Sequence, residues 1–132
     1  MNGSDLGKLI LRVTLGILIL LHGIAKITGG VSSITSSVAK LGLPAELGYL
    51  VYIGEVIAPV LLILGFWTRI SAGIIAINMV VAVWIAHTSQ LFELTKNGGW
   101  ALELQGMFLM TAIALVFLGG GRYSLGANSR WN

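Results

Sequence analysis

Residues 47–66 read LGYLVYIGEVIAPVLLILGF, twenty positions that carry a single charge, Glu55. A helix needs about 20 mainly apolar residues, within a range of ~17–25, to cross the hydrocarbon core of a bilayer. Three further blocks resemble it: Leu9–Ile27, interrupted by Arg12, His22 and Lys26; Ile70–Ala86, with no charge; and Ala101–Leu118, with Glu103. Together the four blocks hold more than half of the 132 residues. Strands of an outer-membrane barrel run ~9–11 residues and alternate polar with apolar, which these do not. A soluble bundle would have to shield four helices that are apolar nearly all round, and too few polar residues remain to do so. The pattern predicts an all-α, integral membrane four-helix bundle. It forms a single transmembrane domain over 1–132, with helices near 9–27, 47–66, 70–87 and 101–118.

Composition narrows the chemistry. Hydrophobic residues make up 56% of the chain and charged residues 10%, against ~25% charged in an ordinary globular protein. There is no cysteine, so this chain alone offers no disulfide, thiolate zinc site or iron–sulfur ligand. The net charge is +3, but the basic residues are scattered and form no aromatic-interleaved patch, which argues against nucleic acid. The first block follows Lys8 like a signal peptide, yet its apolar core runs into His22 and Lys26. It is expected to stay as a helix.

The connections are short. Trp67-Thr68-Arg69 predicts a tight antiparallel hairpin between the second and third helices. In the Thr28–Glu46 connection, Val31, Ile34, Val38 and Leu41 recur at helical spacing opposite serines and Lys40. That suits a short interfacial helix stopped by Gly42-Leu43-Pro44, or equally a polar loop. Asn97-Gly98-Gly99 marks a turn between the third and fourth helices. Gly119–Gly126 resembles a phosphate loop only superficially; it closes a helix rather than opening one, and reads as a C-cap and exit turn. Lys8, Arg12, Arg69, Arg122 and Arg130 fall at one membrane boundary, and Lys26, Lys40 and Lys96 at the other. Five against three places both termini in the cytoplasm.

A charge at bilayer depth costs about 2.5–3.5 kcal/mol on insertion scales, so each such residue needs a reason. At ~1.5 Å per residue, Glu55 lies roughly 12 Å into its block, and His22 roughly 8 Å from the end of its own. Lys26, His87 and Glu103 sit at that same boundary. Because successive helices alternate in direction, all five share one leaflet, the outer one in this orientation. Arg12, Gly16, Ile19, His22, Gly23 and Lys26 share one stripe of the first helix, and its glycines would let another helix approach closely. On the second helix, Tyr52, Glu55 and Pro59 share a face, and Pro59 cannot donate to the carbonyl of Glu55. Asn78 reads as an interhelical hydrogen-bonder. Trp84, Trp100, Tyr49 and Tyr52 read as interfacial anchors, and Arg12, Arg69 and Arg122 as side chains snorkelling to phosphates.

Three readings of the buried polar residues stay open. In one, Glu55 pairs with Lys26 or His22 and only fixes helix register. In another, His22, Glu55, His87, Lys26, Glu103 and Arg12 form a ligand or proton-exchange site for a polar head group such as a quinone carbonyl. In the third, His22 and His87 ligate a metal or haem. The paired Glu-x-x-His motifs of di-iron bundles are missing, and two histidines are a poor haem signature, so no metal is assigned.

Arg12 with Gly16 and His22-Gly23-x-x-Lys26, then Gly42-Leu43-Pro44, then Glu55 followed by Leu62–Arg69, resemble in order and spacing the DoxX family of small bacterial membrane proteins. Glu103 and the Gly119–Leu125 stretch are similar to the family's ending. The resemblance implies a multi-pass bundle in the bacterial inner membrane. It also implies an association with quinone-dependent redox chemistry, often beside a soluble redox enzyme. The expectation is a redox-associated membrane subunit with a quinone-like or amphipathic ligand pocket in the outer half of the bundle. Its partners would be the lipid bilayer, a quinone, and a soluble redox enzyme or a second copy of the chain. No complete catalytic constellation is visible. A small proton-coupled carrier and a non-catalytic anchor for a redox enzyme are the alternatives.

Overall fold

The computed structural model describes residues 3–86, 92–96, 98–127 and 132. Among them are five helices and no strand; an isolated bridge between Leu94 and Trp100 closes the turn around Gly98. The helices are α1 (Gly3–Gly29), α2 (Ser32–Lys40), α3 (Ala45–Leu64), α4 (Thr68–Ala86) and α5 (Glu103–Leu118). The all-helical expectation holds. By length and composition, α1 and α3 can cross a membrane, whereas the apolar helices Thr68–Trp84 and Glu103–Leu118 are shorter.

α1 begins earlier than its apolar block because Asp5 in the first turn favours the helix N-terminus. It ends where Gly30 takes a φ of +80° and donates to the Lys26 carbonyl at 2.8 Å. The ambiguous connection resolves as a helix: α2 buries Val38, with Val31 just before it also buried, and it stops at Gly42, whose φ is +81°. Pro44 caps α3, whose first turns are 3-10 (Ala45–Leu50) before a π turn (Ile53–Ile57) and a regular α segment (Ala58–Leu64). Gly65 ends it in the left-handed region and donates to the Leu61 carbonyl at 2.9 Å. The hairpin to α4 is as tight as expected and is turned by Trp67, the one non-glycine with positive φ among the described residues.

α4 and α5 share the most extensive contact, with α1 on α3 and α3 on α4 next. The centre is aliphatic: Leu15 and Ile19 of α1, Leu62 of α3, Ile75 of α4 and Leu115 of α5 are all buried. The glycine stripe of α1 faces inward. A Cβ at Gly16 would stand 2.5 Å from Ile63 and 3.0 Å from the Pro59 carbonyl, so only glycine permits this approach. The outside is apolar too. Leu21 and Ile24 of α1, Ile77 of α4 and Phe117 of α5 are all exposed, which is the inverse of a water-facing surface.

Candidate functional site

Lys26 lies in the last turn of α1, Glu55 in the π turn of α3 and Asn78 at the middle of α4. The fold brings these three side chains together. Lys26 Nζ donates to Glu55 Oε1 at 2.5 Å, and Asn78 Nδ2 donates to Glu55 Oε2 at 3.2 Å. Each carboxylate oxygen thus has one donor. The Glu55 side chain is 5% exposed and that of Lys26 25%. Pairing removes net charge from the site, while Lys26 keeps two N–H groups without an acceptor among the described residues. Tyr52 adds a tie between α3 and α1, donating from its hydroxyl to the Lys26 carbonyl at 3.1 Å.

Local backbone chemistry sets this geometry. Pro59 has no N–H for the carbonyl of Glu55, four residues earlier. The helix widens just before it, with the Ala58 N–H reaching back five residues to Ile53. Such a π turn re-aims the side chains it carries and is common at functional sites. Two glycines complete the fit. Gly23 lies against the Glu55 carbonyl with no room for a Cβ, and a Cβ at Gly54 would come within 2.6 Å of Asn78.

Beside the trio is a cavity of about 590 Å³, within the size range of small-molecule sites. Lys26, Glu55 and Asn78 are its polar wall; aliphatic side chains of α2, α3 and α4, with Trp84, form the rest. A large apolar chamber with a few converging polar groups is the form expected of a site for an amphipathic molecule.

The other residues expected at the site are elsewhere. His22 is exposed, and its ring meets Phe108 of α5 edge-on at 5.9 Å between centroids. Glu103 is exposed at the start of α5 with its carboxylate beside Gly99. Neither lines the cavity. His87 lies outside the described residues. Among the described residues, the expected convergence of ionisable groups therefore reduces to Lys26 and Glu55, with Asn78 as the third member.

Arg12 is at the opposite end of the bundle. It is buried, and its guanidinium donates to the carbonyls of Leu62 at 3.0 Å, Ile63 at 2.7 Å and Tyr123 at 2.6 Å. Arg69 does the same for α5, reaching the Val116 and Phe117 carbonyls at 2.8 Å. The snorkelling expected of these two arginines is thus corrected: helix C-termini leave carbonyls without internal partners, and a guanidinium fork satisfies them. The glycine-rich tail is an exit turn, as expected. It folds back so that Leu125 and Gly126 donate to the carbonyls of Leu64 and Gly65.

Periodicity alone could not reveal Asn78 as the partner of Glu55. The available signal was an amide with only apolar neighbours from Ala72 to Ala86 and a glycine next to the buried acid. The apolar face of α2, expected to lie in the membrane interface, contributes Ile34 and Val38 to the cavity wall.

No solved structure matches the chain. An uncharacterized protein of Haemophilus influenzae is 31% identical over 118 residues, which cover 87% of this chain and 84% of that one. A Bacillus subtilis protein described as "Putative oxidoreductase CatD" is 34% identical over 120 residues, covering 90% of this chain and 84% of its own. The family model described as DoxX matches residues 7–88, more than half of the sequence and the part that holds Arg12, Lys26, Glu55 and Asn78. On that match and the breadth of both alignments, this chain belongs to the DoxX family and is a DoxX-like membrane protein.

Proposed function

We propose that the protein spans the bacterial inner membrane four times and serves as a redox-associated subunit that binds a quinone-like amphipathic molecule. The observation that carries this reading is the apolar cavity walled at one point by Lys26, Glu55 and Asn78. A quinone ring offers carbonyl oxygens, and the unused Lys26 N–H groups are donors of the matching kind. Glu55 holds that ammonium in place. The reading needs neither His22 nor His87.

All four long helices must cross the bilayer in this arrangement. α4 and α5 would do so with little tilt, since 19 and 16 residues at ~1.5 Å each fall near or below the ~30 Å of hydrocarbon. With both termini cytoplasmic, the cavity opens in the outer half. No thiol is present to relay electrons, so a soluble redox partner or bound cofactor supplies them. The relative described as an oxidoreductase supports this direction.

The test is purified protein in lipid nanodiscs with and without a short-tailed ubiquinone analogue. Binding at a hundred times Kd stabilises by about 2.7 kcal/mol, which shows as a raised melting temperature, and Trp84 on the cavity wall reports by quenching. Lys26→Met is expected to weaken both signals, with affinity lowered by about tenfold or more. No shift and no quenching in the wild-type protein would end the reading.

A carrier is the second reading, favoured by the Lys26–Glu55 pair itself, because ion pairs at membrane depth recur in proton relays. Proton-coupled flux in proteoliposomes that disappears with Glu55→Gln would support it. If both variants lose stability yet keep all cellular activity, the chain acts as an anchor only.

A further inference from the structure

Two stripes of exposed aliphatic side chains border the cavity. On α3, Leu47 and Leu50 stand one 3-10 turn apart, Ile53 follows where the π turn begins, and all three line the chamber. On α4, Ile77, Val81 and Trp84 recur at i, i+4 and i+7, which is one face of an α-helix. All six side chains line the chamber and are also between 40% and 67% exposed. The opening is therefore on the flank of the bundle, between α3 and α4, and its rim is hydrocarbon.

At the other end of the chamber, α2 packs on the first turns of α3. Ile34 and Val38 of α2 are turned to the cavity, while Ser32, Ser36 and Lys40 are exposed on its outer side. Lys40 and Glu46, the charges nearest that end, do not line the chamber. A water-borne substrate would meet α2 at that end and a greasy slot at the flank. A molecule dissolved in the bilayer would face an open door.

We propose that the cavity is loaded sideways from the membrane through the slot between α3 and α4, and that its ligand is a long-tailed, lipid-soluble molecule with an uncharged acceptor head. The head meets Lys26, and the tail leaves through the slot into the hydrocarbon. This rests on the ligand-binding reading above but adds the route and the class. Paired with Glu55, Lys26 leaves no net charge to hold an anionic head. Its other N–H groups, without an acceptor among the described residues, call for a carbonyl.

The absence of native cysteine permits a direct test of the route. Single cysteines at Ile77, Leu50 and Ser36 would carry nitroxide labels in nanodiscs. Labels at Ile77 and Leu50 are expected to collide mainly with oxygen, which concentrates in lipid, and the label at Ser36 mainly with a water-soluble nickel chelate. Nickel-dominated collisions at Ile77 and Leu50 would overturn sideways loading whether or not any quinone binds.

The second arm compares decylubiquinone with the same ring lacking its tail, at matched concentration within the membrane. The tailed probe is expected to bind at least about tenfold more tightly, and Val81→Trp, which narrows the slot, to slow its binding by a similar factor. Equal affinity for the tail-less ring, or a wild-type rate in Val81→Trp, overturns the proposal while leaving the ligand reading intact. A co-purified phospholipid that decylubiquinone cannot displace would support the sideways route but, with its charged phosphate, overturn the uncharged-head class and end the quinone reading.

Discussion

Gly23 of α1 sits against the main-chain carbonyl of Glu55 so closely that no Cβ fits between the two helices. The contact fixes where α1 crosses α3, and hence where Lys26, three residues further on, meets the acid. Substituting Gly23→Ala must push the helices apart, and overpacking of this kind costs about 1–3 kcal/mol. Gly7, on the same helix, has nothing within 4 Å of its Cβ position. Gly7→Ala is expected to be neutral or to gain up to about 1 kcal/mol from helix propensity. Thermal unfolding in detergent separates the two; equal stability for both variants would refute the crossing.

The ion pair makes a separate prediction. Removing one member of a buried pair costs about 3–5 kcal/mol because the other is left uncompensated. The partial exposure of Lys26 moves the expectation to the low end of that range. Lys26→Met and Glu55→Gln should each destabilise more than the double variant does, giving a double-mutant cycle with clear coupling. Additive losses would mean that the two groups do not interact in the membrane.

At the far end of α1, Arg12→Lys tests a capping role. One ammonium cannot replace a fork that reaches three carbonyls on two segments. Hydrogen bonds from charged groups contribute about 1.5–3 kcal/mol each, so a loss near 2 kcal/mol is expected. Arg12 is fourteen residues from Lys26, or ~21 Å along the helix. Ligand affinity of the folded variant should therefore stay at the wild-type value, as measured by titration below its melting temperature.

The sequence made the helices, the glycine stripe and the family visible, because each leaves a local periodic or ordered trace. Apolar runs of span length and Gly16 and Gly23 on one face of α1 needed no coordinates. Depth arithmetic also placed Lys26 and Glu55 at one end. What it could not supply was rotation about each helix axis. His22 shares a stripe with Lys26 at 100° per residue, yet the bundle turns that edge toward Phe108 rather than the cavity. Arg12 shares the stripe too, but its fate was decided by unpaired carbonyls at the ends of other helices, which have no signature near Arg12 in the chain. The π turn follows the same logic: Pro59 signals a freed carbonyl, but not that the helix widens ahead of it.

His22 supplies the sharpest test of where the head group sits. Its ring is exposed beside Phe108, between α1 and α5, and is not part of the cavity wall. His22→Ala removes an edge-to-face contact worth about 0.5–1.5 kcal/mol, so a modest fall in melting temperature is expected. Quinone affinity should change by no more than about twofold, whereas Lys26→Met should lower it by about tenfold or more, the equivalent of 1.4 kcal/mol. Both are read from the same fluorescence titration in nanodiscs. A His22→Ala protein that folds normally but no longer binds would move the head group to the α1–α5 side. Imidazole would then be the proton-exchanging group, and the Lys26–Glu55 pair would be reduced to setting helix register. Intact binding in His22→Ala, weakened in Lys26→Met, leaves the ammonium as the donor that meets the ligand.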